Sequence, residues 1–181
     1  MSLLSYLELV ELVECGVITA ELSRVNGSSI DITLDDRIRI ESEPKFNAVV
    51  DLRAKENIET DVILLGEHGY QLVPGEFILA SSREFFNLPN NISAEYKLKS
   101  SMARNGLEHI NAGWCDCGWH GSKLTLELKN MTRKHRLTLK PGMAIGQVVF
   151  FRHEPVPREK GYAVRGQYNN QVTVQPSKGI R

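Results

Sequence analysis

Cysteine is scarce in this sequence, long apolar runs are missing and neither sign of charge dominates; each shortage narrows the reading. Three cysteines in 181 residues are too few, and odd in number, for a disulfide framework. They suit reduced thiols, so a cytoplasmic location is expected. No apolar stretch approaches the roughly 20 residues of a membrane-spanning helix, and the opening MSLLSYLELVELVECG is too acidic for a targeting segment. Lysine plus arginine number 22, as do aspartate plus glutamate, which excludes a global basic field that would hold nucleic acid or an anionic membrane. Any phosphate recognition has to come from a local cluster. Internal repeats and low-complexity tracts are also absent.

What is present describes one compact domain over residues 1–181, since 41% hydrophobic residues supply a sizeable core. The chain starts with a short amphipathic helix: Ser5 caps it, Glu8 follows at capping-box spacing, Leu7, Val10 and Val13 form a stripe, and Gly16 ends it. The period then changes. SSIDITL, RIRIE, EFILASS, KLTLELKN, RLTLK and IGQVVFF are short, rich in β-branched residues and separated by breakers such as Asn26-Gly27, Pro74-Gly75 and Pro141-Gly142. That is the pattern of an all-β sandwich or barrel. DLRAKENIETD at 51–61 is charged and aperiodic, and reads as a surface excursion. From about Pro155 to Arg181, glycine, lysine, arginine and asparagine dominate, suggesting a tail that is mobile until a ligand orders it.

Two segments concentrate reactive side chains. KLKSSMARNGL, residues 97–107, brings Lys99, Ser100, Ser101 and Arg104 into one turn or short helix. Hydroxyls and a guanidinium fork suit phosphate oxygens, although Ser-Ser is often only a cap and Lys/Arg only a solvated face. NAGWCDCGWHGSKLTLELKN, residues 111–130, is a glycine-rich turn carrying Asp116 that feeds an alternating strand. Leu124, Leu126 and Leu128 point one way, and Thr125, Glu127 and Lys129 the other. A glutamate on the polar face of a strand is usually solvated, so the strand alone leaves its role open.

Taken in order, KSSMARNGL, AGWCDCGW and LTLELKN resemble the dCTP deaminase family of the dUTPase-like superfamily. NGSSIDITL at 26–34, PGEFILASSREFFNLP at 74–89 and PGMAIGQVVFF at 141–151 extend the resemblance over residues 1 to about 171. It implies a dUTPase-like distorted barrel (β-clip) assembled as a homotrimer, with active sites between subunits and no nucleic-acid or membrane partner. It implies dCTP as substrate, deaminated to dUTP and ammonia without zinc, with Mg²⁺ arriving on the triphosphate; dUTP is a further ligand and dTTP an inhibitor. Residue by residue, Glu127 matches the catalytic glutamate, and Ser100 the serine that holds the attacking water or amino group. Lys99, Ser101 and Arg104 complete the phosphate block, while Ala112, Gly113 and Trp114 run past the base. Asp116 lies by the deoxyribose, and Thr125 and Leu126 flank the glutamate in the substrate set. In the tail, GQYNNQ resembles a phosphate-covering segment, which places Tyr162, Arg165, Gln167, Tyr168 and Gln171 with the nucleotide.

The chain departs from the family pattern at four points. Lys99 stands for an arginine, Cys117 for a proline and Gln167 for a lysine, and the GWHGSK turn is one residue longer. The Glu-x-x-Asn spacing survives as Glu127 to Asn130, so the extra residue is expected in the turn, with the strand register intact. Cys115, Cys117 and His120 lack the His-x-Glu and Pro-Cys-x-x-Cys elements of zinc deaminases, so the two thiols are expected to be buried structural residues. His109, His135 and His153 read as surface or ordinary packed residues. Two other functions fit the same residues. Because dUTPases use an aspartate at the position of Asp116, one is a bifunctional enzyme forming dUMP and pyrophosphate; the other is a non-catalytic nucleotide-sensing trimer.

Overall fold

The computed structural model describes residues 1–43 and 49–179. In chain order these form β1 (Ser2–Leu3), α1 (Tyr6–Glu14), β2 (Ile30–Thr33), β3 (Arg37–Glu41), β4 (Thr60–Leu64), β5 (Tyr70–Leu72), β6 (Phe77–Asn87) and β7 (Ile92–Leu98). There follow α2 (Ser100–Arg104), β8 (Leu107–His109), β9 (Trp114–Cys115), β10 (His120–Asn130), β11 (Leu137–Leu139), β12 (Ala144–Arg152) and α3 (Tyr162–Arg165). One sheet runs β1-β12-β7-β9 with β2 also paired to β12, another runs β4-β3-β6-β10-β8, and β5 pairs with β11. The pairings are antiparallel, as the all-β pattern implies.

Alternation decides which face of each strand goes inside. On β10 every second residue from Ser122 to Asn130 is buried, and Leu126 and Leu128 meet Ile78 and Ala80 of β6 and Val148 and Phe150 of β12 in one core. Leu126 was expected among the substrate-binding residues. Its side chain is fully buried in this core instead, because it shares the inward parity of its leucine neighbours.

Helix α1 begins as its sequence implies, with the Ser5 amide and hydroxyl donating to the Glu8 carboxylate at 2.9 and 2.8 Å. Gly16 ends it at φ +72°, and the Val17 amide closes back on Leu12 O. The inward stripe differs from the expected one: Leu9 and Leu12 are buried, whereas Leu7 is exposed. Leu4 enters the core just before the helix, and the arc continuing from it is that of the bulkier leucines.

Strand β10 also shows where the extra residue of the GWHGSK turn goes. His120 pairs with Asn87 but Ser122 pairs with Phe86, so Gly121 is bulged out of the strand at φ +61°. A larger shift in the opposite sense follows between Lys123 and Thr125, where β6 passes from Phe85 to Ser81, after which the register is regular and Glu127 lies opposite Leu79. The extra residue therefore sits in a bulge at the start of the strand. Asn130 closes the other end, fully buried, donating to Leu72 O and His135 O and accepting from the Thr132 amide. The Glu-x-x-Asn spacing thus ties the glutamate strand to β5 and to the loop before β11.

The segment after Pro155 folds back on this strand; its last two residues lie outside the described ones. The Tyr162 amide donates to Cys117 O, the Asn170 amide to His120 O, and Gln171 O accepts from the Lys123 amide. The Trp119 indole and the Ser122 hydroxyl both donate to Tyr168 O, and Gln171 Nε2 donates to Thr125 Oγ1. These bonds satisfy the backbone on the free side of the bulge, where β10 has no continuous partner strand.

Candidate active site

The segment around β9, strand β10 and the returning C-terminal segment border a cavity of about 620 Å³. From the segment around β9 Ala112, Trp114 and Asp116 line it, from β10 Thr125 and Glu127, and from the C-terminal segment Tyr162, Tyr168 and Gln171. Thr125 and Glu127 are there because they carry the outward parity of β10. Leu79 and Phe77, their neighbours across the strand pair, share that face and form an apolar wall beside the carboxylate.

The opposite wall was not foreseen. Val50, Leu52, Asn57, Ile58 and Thr60 line the cavity, so the charged stretch at 51–61 is an arch beside it, whose Leu52 and Ile58 border the cavity while remaining exposed. Asp51 stabilises its first turn by accepting from the Arg53 amide at 2.8 Å. Three apolar residues spread among eight charged or polar ones carry no periodicity, and that is why the pattern did not reveal them.

Glu127 sits at the junction of cavity and core. Its Oε2 is buried and lies 3.2 Å from His109 Nε2, the last residue of β8, at an angle that makes no hydrogen bond. The side chain as a whole keeps 26% exposure on the cavity side. His109, read from the sequence as a surface or ordinary packed residue, is buried and touches the Glu127 carboxylate. No local spacing relates the two residues; the contact exists only because β8 pairs with the end of β10. Asp116 has a different setting. It is exposed, with Oδ1 accepting from the Trp114 indole at 3.0 Å.

The other expected residues fall elsewhere. Ser100, Ser101 and Arg104 are exposed on α2 and do not line the cavity. Lys99 Nζ is paired with Asp31 Oδ2 at 2.7 Å, and Asp31 in turn accepts from Asn26. Gly113 is packed under Tyr96, where a Cβ would come within 2.6 Å of Tyr96 O. Arg165 is exposed at the end of α3, and Gln167 accepts through its carbonyl from Lys178 Nζ; neither lines the cavity.

Cys115 and Cys117 are buried free thiols. Burial, with the Asp116 charge adding, pushes Cys115 up to about 12 and raises Cys117 in the same direction. His120 Nδ1 is engaged with Gly118 O at 2.9 Å, and among the described residues no three His, Cys, Asp or Glu side chains converge as a metal site requires. Since the thiolate is the reactive form, a thiol reagent at pH 8 is expected to label exposed Cys15 and to spare Cys115 and Cys117 until the chain unfolds. Mass spectrometry of native and denatured samples measures this; rapid native labelling of Cys115 would contradict its burial.

A family model of dCTP deaminase-like proteins matches residues 3–153. The chain belongs to the dCTP deaminase-like family. Relatives in this family include the "dCTP deaminase, dUMP-forming" of Corynebacterium glutamicum strain R, 32% identical over 169 residues that cover 91% of this chain and 88% of that protein. The protein of the same description from Nanoarchaeum equitans is 35% identical, covering 91% of this chain and 93% of the relative. Among solved structures, the 2'-deoxycytidine 5'-triphosphate deaminase of Agrobacterium tumefaciens superposes with a TM-score of 0.64 at 20% identity, over 82% of this chain. That match spans 47% of the solved chain, about half its length, and establishes the dCTP deaminase fold.

Proposed function

We propose that this chain deaminates dCTP at cytosine C4 and also hydrolyses the nucleotide between the α and β phosphates, releasing ammonia, pyrophosphate and dUMP. The observation carrying this reading is that two carboxylates in unlike settings, Glu127 and Asp116, line one cavity. The dUMP-forming relatives support the second half and favour dUMP over dUTP as the released product.

In the deamination, the oxygen of a water bonds to C4 while Glu127 accepts the water proton and delivers it to N3. The carboxyl group then relays the hydroxyl proton of the tetrahedral centre to the amino group, the C4–N4 bond breaks, and ammonia leaves. The half-buried position of Glu127, with Leu79 and Phe77 beside it, suits a group that has to both take and return a proton. In the hydrolysis, Asp116 accepts a proton from a second water as it attacks the α-phosphorus, and pyrophosphate departs. Two waters are consumed per dCTP.

Phosphate binding falls to Lys99, Ser101 and Arg104, with Ser100 holding the water or amino group. In a single chain α2 lies outside the cavity, which supports a homotrimer in which α2 of one copy completes the cavity of the next. Magnesium fits as a nucleotide-borne ion: Asp116, a carboxylate oxygen donor on the cavity, is of the hard donor type such a cation takes and would help hold it. Bound there, it would offset phosphate charge. A reducing cytoplasm suits the three free thiols.

Incubation with dCTP and Mg²⁺, resolving dUTP, dUMP, pyrophosphate and ammonia, tests the proposal. Ammonia and pyrophosphate in equal amounts with dUMP are expected from a species that light scattering sizes as a trimer. Accumulating dUTP would remove the hydrolytic half, and dCTP binding without turnover would leave a nucleotide-sensing trimer. Arg104→Ala is expected to weaken dCTP binding about 10- to 100-fold, the usual cost of a charge-assisted contact. It should raise KM more than it lowers kcat, because ground and transition states share that contact; a KM at the wild-type value would place the phosphates elsewhere.

A further inference from the structure

Three buried side-chain polar atoms among the described residues lack a hydrogen-bond partner: Tyr96 Oη, His109 Nε2 and Glu127 Oε2. They belong to one cluster. His109 Nε2 is 3.2 Å from Glu127 Oε2, and the Tyr96 and His109 rings pack with centroids 4.6 Å apart, tilted by 50°. Native chains keep few unpaired buried polar atoms. Three side by side, on β7, β8 and β10, are a concentration that core packing alone does not call for, since Leu or Phe at 96 or 109 would fill space without that cost.

The surrounding chain makes room for this arrangement. A Cβ at Gly146 would fall 2.2 to 2.3 Å from the Tyr96 ring and hydroxyl, and one at Gly113 would fall 2.6 Å from Tyr96 O. The Tyr96 ring thus requires a glycine at 146 on β12, while Gly113 lets the chain pass close to the backbone of residue 96. The Tyr96 phenol is held protonated, chiefly by burial and secondarily by the Glu127 charge, which leaves the hydroxyl available as a donor.

We propose that His109 and Tyr96 are positioning residues for Glu127: His109 Nε2 restrains Oε2 so that the other carboxylate oxygen addresses the nucleotide, and Tyr96, with its ring against the imidazole and its hydroxyl free to donate into the same cluster, sets the orientation of the imidazole. The distance already permits a hydrogen bond and only the angle does not, so a small rotation of the carboxylate completes it, as catalytic contacts commonly tighten when substrate seats. This rests on Glu127 being the proton-transfer group proposed above.

The test uses His109→Ala, His109→Gln and Tyr96→Phe, alone and with Glu127→Gln, in the full chain. Measured quantities are dCTP kcat, dCTP Kd, melting temperature and, at fixed pH, the ¹³C signal of the Glu127 carboxyl carbon. His109→Ala is expected to lower kcat about 10- to 100-fold, the cost of a misplaced catalytic group, with Kd within about threefold. His109→Gln, whose amide reaches where Nε2 lies, should restore most of that loss, and Tyr96→Phe should lower kcat a few-fold. None should reduce the residual rate further when Glu127 is already Gln, since a positioning residue has nothing left to act through. The proposal is overturned if wild type deaminates dCTP while His109→Ala and His109→Gln do so at its rate, or if the losses persist undiminished with Glu127→Gln. Should His109→Ala not fold, His109→Gln and Tyr96→Phe decide the matter. A wild type inactive on dCTP would instead sink the functional reading. The carboxyl signal then judges the contact separately: a change in His109→Gln supports it, and an unchanged signal overturns it.

Discussion

Glu127→Gln is expected to reduce dCTP deamination about 10³- to 10⁴-fold, the upper end of general-base loss, while leaving dCTP affinity within about tenfold. Glutamine keeps the length and hydrogen-bonding reach of the side chain and loses only its capacity to take a proton. In the proposed mechanism the same carboxylate serves the attacking water, N3 and the leaving amine, so its removal affects each transfer in turn. Binding is spared because the triphosphate is assigned to Lys99, Ser101 and Arg104, which are not on this cavity within one chain. The fold is spared too, since Glu127 holds its register through backbone pairing with Leu79 and not through its carboxylate. Single-turnover assays with calorimetric binding separate the two effects, and a variant deaminating at the wild-type rate would take the catalytic role away from this residue.

Asp116→Asn is expected to change the product more than the rate of the first reaction: dUTP should accumulate as pyrophosphate release falls about 10²- to 10⁴-fold, with ammonia release close to wild type. The reason is positional. Asp116 lies eleven residues before Glu127, in the connection from β9 to β10, and is exposed, with its Oδ1 held by the Trp114 indole, whereas Glu127 is held inside against His109. Asparagine still accepts the indole proton, so the turn keeps its shape while the carboxylate is lost. Chromatographic separation of dUTP from dUMP reads the outcome. Equal loss of ammonia and pyrophosphate would show that Asp116 acts on both steps and would merge the two roles proposed here.

Much of this protein was legible in local pattern. Strict alternation at Leu124, Leu126 and Leu128 determined that β10 buries one face and turns Thr125 and Glu127 to the other, and the structure keeps that parity through Asn130. Ser5, Glu8 and Gly16 marked the ends of α1, because capping chemistry is confined to a single turn. The order of motifs from NGSSIDITL to PGMAIGQVVFF pointed to the dCTP deaminase-like family, and within one chain Asp116, Glu127, Tyr168 and Gln171 do line one cavity.

Other features waited on tertiary structure, because they join residues that no short-range period connects. Both arcs of α1 carry apolar side chains, and only docking beside Leu4 selected Leu9 and Leu12. The extra residue before the glutamate strand became a bulge at Gly121 once β10 had paired with β6. Leu52 and Ile58 came to border the cavity, still exposed, only through the arch formed by their segment. His109 and Tyr96 are eighteen and thirty-one residues from Glu127 along the chain, and nothing in their neighbourhoods marks them. Sequence period reports which face of an element is apolar; which side chains meet is decided by strand register and by the packing of one sheet on another, and these depend on the whole chain at once.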